Sequence, residues 1–252
     1  MTTAALHQLP LWSDGDTDAR WHVRRSGRAR RLGVRIFRDG SVEIVAPNGA
    51  SARQVSAFVE RHRAWIERHR QRAPRVELAF PPQRIELPAL AESWRCELRA
   101  EAVAGARSVR AVPGDGGGVL ELDGAGDDAA LREALLDWLC ERARLTLAPR
   151  LTERAQALGV RYQRVQIRRQ RTRWGSCSAR GTVSLNCCLL FHRPAVVRYL
   201  LAHELAHLTH MNHSARFWKL VEQYEPDWRA CDRELSRGWS QVPGWVLQAL
   251  RA

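Results

Sequence analysis

Apolar positions along this 252-residue chain change period several times, and each change marks an element. Near the start, apolar and polar residues alternate over Trp21–Arg25, Leu32–Phe37 and Val42–Ala46. Period-two patterning predicts three strands, the last two joined by a turn at Asp39-Gly40. Val55, Phe58, Val59, Ala64, Trp65 and Ile66 then recur at helical spacing, predicting a helix over Ala52–Arg72. Short strands follow at Arg84–Leu87, Trp94–Ala100 and Val109–Val112. The glycine- and aspartate-rich run Pro113 to Asp128 reads as a loop, with Val119–Leu122 a strand inside it. A long helix is predicted from Ala129 to about Leu158, closed by Gly159. Strands at Val165–Ile167 and Val183–Leu185 precede an almost wholly apolar helix, Pro194 to His210. Pro194 suits its first turn. Ser214 reads as the N-cap of a further helix over Ala215–Tyr224, and two or three more helices complete the chain.

The apolar helix carries the chemistry. His203-Glu204-Leu205-Ala206-His207 places two imidazoles at i and i+4, on one helical face, where both can point at one ion. Glu204 sits beside the first of them, in reach of a water held by that ion. A carboxylate between Leu201 and Leu208 is costly in an apolar helix without a partner, and a metal with its water supplies one. His207, His210 and His213 compete for the remaining positions. Three side chains of one straight helix cannot meet an ion at about 2.1 Å, so the chain must turn. A left-handed Asn212 would end the helix and swing His213 back. The offset of His213 from His203 matches the metzincin pattern, although His210 stands where that pattern has glycine. His210 reads instead as a supporting or surface residue. Glu222, Glu225, Asp227, Asp232 and Glu234 are carboxylates available to an alternative third ligand.

A second segment, Arg171-Thr172-Arg173-Trp174-Gly175-Ser176-Cys177-Ser178, lies upstream. With the short strand ending in Leu185-Asn186, the His203–Leu208 run, Asn212-His213-Ser214 and Phe217-Trp218, it resembles the YgjP-like metal-dependent hydrolases, relatives of the SprT/Spartan-type zinc metallopeptidases. The likeness spans about Trp21 to Gly238 and is strongest from Val165 to Trp218. It implies His203, His207 and His213 as ligands of one Zn2+ per chain, and Glu204 as the catalytic glutamate. Arg173 and Trp174 fall in a family motif that either borders the cleft or is a core turn. The architecture expected is α+β: a tail over residues 1–19, a β-rich region with one helix over 20–127, and a zincin-like catalytic domain with an HExxH active-site helix over 128–252.

The function expected is a zinc-dependent hydrolase, a metallopeptidase acting on a peptide or protein substrate. Arg173, His210 and Tyr199 are candidates for stabilising an oxyanion. A net charge of +13 raises nucleic acid as a second partner, through Arg24, Arg25, Arg28, Arg30 and Arg31, and through Arg164, Arg168, Arg169, Arg171 and Arg173. Nearly all that charge is arginine, with Lys219 the single lysine, a bias that composition alone can produce. Alternatives are therefore a nucleic-acid-associated zinc protein, either a DNA-linked protease or a non-enzymatic binder, and a hydrolase of non-peptide amides. Six cysteines form no C-x-x-C pair and read as buried thiols, with Cys177 nearest the expected cleft. No apolar run approaches 18 residues, and residues 1–18 lack a basic region followed by an apolar stretch. Neither a membrane span nor a signal peptide is expected, which makes the cytoplasm the default location.

Overall fold

The computed structural model describes residues 21–27, 29–36, 42–72, 80–99, 108–123 and 127–250. The expected tail over residues 1–19 and the turn at Asp39-Gly40 lie outside them. The structure is mixed α and β, with six α-helices and ten strands among the described residues. The chain divides into two compact units, residues 1–77 and 78–252.

In the first unit, β1 (Trp21–Ser26) runs parallel and β2 (Gly33–Ile36) antiparallel to the central β3 (Val42–Pro47). Alternation along β3 sends Val42, Ile44 and Ala46 to one face, where they share a core with Val55, Val59 and Ile66 of α1 (Ala52–Arg72). The opposite face buries Glu43 beneath Arg24 (3.1 Å) and Arg35 (3.8 Å).

The second unit holds one continuous core. A four-stranded sheet has the order β4-β5-β7-β6, from β4 (Arg84–Leu87), β5 (Glu92–Leu98), β6 (Ser108–Gly114) and β7 (Gly117–Asp123). The strand read inside the glycine-rich run at Val119–Leu122 is the centre of β7, and the run before it, read as loop, is the β6–β7 hairpin. Gly117 and Gly118 take φ values of 141° and 152°, and a Cβ on Gly117 would lie 1.9 Å from the carbonyl oxygen of Ser93. Glycine here lets strands approach, rather than breaking them. The sheet's apolar face, with Ile85, Leu87, Trp94, Leu120 and Leu122, packs into the same core as Leu131, Leu135, Leu136 and Leu139 of α2 (Asp128–Ala157). For that reason the contacts divide the chain at 77/78, whereas the sequence reading places its boundary at 127/128. Asp127 caps α2 by accepting from the Ala130 amide at 3.0 Å.

A second sheet of this unit has the order β8-β10-β9. In it β8 (Arg164–Arg168) is parallel and β9 (Gly175–Cys177) antiparallel to β10 (Thr182–Asn186). A 3-10 helix, Cys187–Phe191, links β10 to α3 (Pro194–Ala206). Helices α4 (Ala215–Tyr224), α5 (Trp228–Ser236) and α6 (Gly244–Ala249) follow. At 13 residues α3 is marginal by itself. It is held by burial: Val196, Val197, Leu200, Leu201 and Leu205 are all in the core, each contributing about 1.5–3 kcal/mol. No described helix is long and apolar enough to cross a membrane.

Asn186 fixes the segment that precedes β9. Fully buried, it donates through Nδ2 to the carbonyls of Gln170 (2.7 Å) and Arg173 (2.8 Å) and accepts from the Cys188 amide (3.0 Å). Asn186→Leu strands three backbone groups. It is expected to cost about 3 kcal/mol, read as a lower urea midpoint.

Candidate metal centre

Tyr199, His203 and His207 follow one another at intervals of four and so share a face of α3. The helix ends sooner than sequence suggests, at Ala206 rather than His210. Leu208 and Thr209 bond back three residues, and the ring of His207 reaches the carbonyl of His210 at 3.1 Å. This tight turn replaces the left-handed Asn212 expected from sequence: among the described residues only Ala91 is non-glycine with positive φ. Ser214 occupies the N-cap position of α4, but its hydroxyl makes no capping bond.

The turn brings His213 back over the helix. Its Nε2 lies 3.1 Å from His203 Nε2, and ligating nitrogens of His203, His207 and His213 lie within 4.8 Å of one another. Ligands of a tetrahedral ion at about 2.1 Å are separated by about 3.4 Å, a spacing that the His203–His213 pair already approaches. Phe217 of α4 is fully buried beneath the cluster, 4.9, 4.5 and 4.7 Å from the rings of His203, His207 and His213. Trp218 lies 5.7 Å from the His203 ring and 5.5 Å from His213, and stacks on Trp228 at 4.4 Å.

Burial and the neighbouring imidazoles push His203 down to about 3, and burial lowers His207 against the pull of the His210 carbonyl. Both rings are thus neutral at neutral pH, the form that binds metal. Glu204 is 4% exposed. Burial raises it to about 8, opposed by the charge of Arg173, and its Oε2 has no hydrogen-bond partner among the described residues. A buried carboxylate oxygen lacking a donor, on the residue next to one of three converging imidazoles, fits a divalent cation, whose charge would add to that of Arg173. A set of three histidines suits zinc.

The Arg173–Cys177 segment divides its labour. Trp174 turns away from the histidines. It stacks on Trp239 (4.3 Å), meets His192 edge-on (4.5 Å) and donates to the Leu235 carbonyl (3.1 Å). Gly175 faces Glu204: a Cβ there would lie 2.6 Å from Oε1 and 2.9 Å from Cδ. Cys177 is pushed up to about 11 by burial and by Glu204, so it stays a thiol. His210 contributes its carbonyl rather than its ring. The Tyr199 hydroxyl donates a hydrogen bond to Asp232 at 2.7 Å and is buried, which removes it as an oxyanion donor.

Four of the five alternative carboxylates are engaged elsewhere, Asp232 by the Tyr199 hydroxyl and the rest by arginines. Glu222 pairs with Arg229 (2.6 Å), Glu225 with Arg154 (2.5 Å) and Arg198 (3.1 Å), and Glu234 with Arg193 (2.7 Å). Only the three histidines form a metal-sized cluster among the described residues. Of the two arginine clusters, Arg24 is tied to Glu43, and Arg169 to Glu133 (2.8 Å) and Asp137.

The YgjP-like metallopeptidase-domain model matches residues 30–238. The chain belongs to the YgjP-like family. This match covers the whole segment from β2 through the histidine cluster to α5, so the YgjP-like assignment and the site rest on the same stretch of chain. A solved structure, the metallopeptidase zymogen abylysin of Pyrococcus abyssi, is 28% identical, aligning over 36% of this chain and 94% of that one with a TM-score of 0.33. No curated protein matches the chain.

Two outcomes follow from this geometry. Gly175→Ala overpacks against Glu204 and is expected to destabilise by about 1–3 kcal/mol. In a Glu204→Ala background the same change should cost almost nothing, a coupling read by a double-mutant cycle of urea unfolding. The second concerns pH. His192, buried against Trp174 and Gly238, is pushed down to about 4 by burial, opposed by Glu234 and Gln241. With folded values below the unfolded one, His192 and His203 favour the fold fully above about pH 6.5. That contribution is lost as pH falls toward 4. Metal-free protein is therefore expected to lose urea stability between pH 6.5 and 4.

Proposed function

We propose that this chain is a zinc-dependent peptidase in which His203, His207 and His213 hold the metal and Glu204 moves protons. The convergence of three imidazoles, with the neighbouring Glu204 buried and its Oε2 lacking a hydrogen-bond partner among the described residues, carries this reading. When bound, zinc supplies Lewis acidity toward a carbonyl and brings the pKa of a coordinated water to about 7.

The remaining steps belong to the chain. Raised to about 8 in the metal-free site, Glu204 holds its proton at neutral pH; a cation bound nearby would lower that value and free the carboxylate to take a proton from water. It then delivers the proton to the leaving amine. Gly175 lets the carboxylate stand against β9, and Arg173 supplies the opposing charge. As an edge strand of its sheet, β9 offers a place where an extended peptide adds as a further strand beside Glu204. Phe217 and Trp218 pack against the histidine rings and support their placement.

The test is metal content by mass spectrometry, paired with hydrolysis of a mixed peptide library. Wild type is expected to hold one zinc and to cleave. His213→Ala should lose most of the metal, and Glu204→Gln should keep it while cleavage falls to background. Turnover by Glu204→Gln would overturn the assignment of the base. A folded wild type without zinc would overturn the centre itself.

A further inference from the structure

His203 and His207 differ in what stands behind them. His207 Nδ1 meets the main-chain carbonyl of His210 at 3.1 Å, a partner that no substitution removes. His203 Nδ1 instead meets a side chain, the hydroxyl of Tyr199, at 3.3 Å. That hydroxyl is buried and donates to Oδ1 of Asp232 at 2.7 Å. A phenol carries one proton, and here it is directed at the carboxylate. Only a lone pair of the oxygen is left to face His203. The ring must then carry its proton on Nδ1, which leaves an unprotonated Nε2 facing His213.

Asp232 is placed for this. It lies on α5, which is fastened along α3 by the Arg193–Glu234 pair at 2.7 Å and by the Cys231 thiol donating to the Ala195 carbonyl at 3.7 Å. Neighbouring acids of this region are taken up by arginines, Glu234 by Arg193 and Glu225 by Arg154 and Arg198. Asp232 accepts the tyrosine instead.

We infer that Tyr199 and Asp232 are positioning residues that fix the tautomer and orientation of His203 and strengthen it as a metal ligand. This rests on the zinc-centre reading above. The carboxylate acts through the phenol: its charge polarises the O–H bond, which makes the oxygen a better acceptor for Nδ1–H and the far nitrogen a stronger donor to metal. The two residues join α5 to the ligand set, so an element outside the His203–His213 segment sets the affinity of the site.

The experiment is a zinc titration of the full-length metal-free chain against a chromophoric chelator, for wild type, Tyr199→Phe and Asp232→Asn. Circular dichroism and urea midpoints of the metal-free proteins report the fold. Tyr199→Phe is expected to bind zinc about 10–100-fold more weakly, and Asp232→Asn to shift in the same direction by less. The visible bands of the cobalt-loaded protein should move in both variants, a change that a purely packing role would not produce. Affinity within twofold of wild type and an unmoved cobalt spectrum, in folded variants, would overturn the relay and leave the zinc centre standing. A wild type that takes up no zinc would overturn both. Should Tyr199→Phe fail to fold, the partly exposed Asp232→Asn decides by itself.

Discussion

Everything at this site depends on placing one carboxylate, Glu204, in the core with no hydrogen-bond donor to its Oε2 among the described residues. Folding desolvates it and gives little in return, which is why its pKa rises. The structure accepts that cost only because α3 is otherwise almost entirely apolar and strongly buried. The second condition is steric. Only a residue without a Cβ allows β9 to stand against the carboxylate, and Gly175 supplies it. The third is that Trp174, one residue earlier, is anchored to Leu235, His192 and Trp239, so β9 cannot retreat. Burial, the missing Cβ and the tryptophan anchor together hold a group that would otherwise turn to solvent.

Much of this was legible in the sequence where the determinant is local. The i, i+4 spacing of His203 and His207 is a property of any helix, and the apolar run around it announces burial. The start of α4 after Ser214 follows from the renewed periodicity of Phe217, Leu220 and Val221. The long α2 is equally plain from its leucine spacing and from Gly159. The family likeness carried in the Arg171–Ser178 and His203–Leu208 segments agrees with the matched family.

Other features arise between segments distant in the chain. The role of Gly175 depends on its approach to α3, and a glycine between Trp174 and Ser176 reads equally well as a turn. The early end of α3 follows from a bond between the His207 ring and the His210 carbonyl, which propensity does not register. Both strands of the β6–β7 hairpin were foreseen at their apolar centres, but their run through Pro113 to Gly118 was hidden because glycines that admit close strands look the same as glycines that break them. Asp232 is 33 residues from Tyr199, and only docking of α5 pairs them. Tyr199 itself, four residues before His203, was visible on the right face, yet its proton points away from the cleft.

The three candidate ligands all fall within the eleven residues from His203 to His213. An ion held there closes a short loop and removes little freedom from the unfolded chain. The scaffold around it, from the four-stranded sheet through α2 to α6, has its own continuous core and does not need that closure. A metal held there would be a tenant of the fold and not one of its beams, able to leave and return without the house being rebuilt.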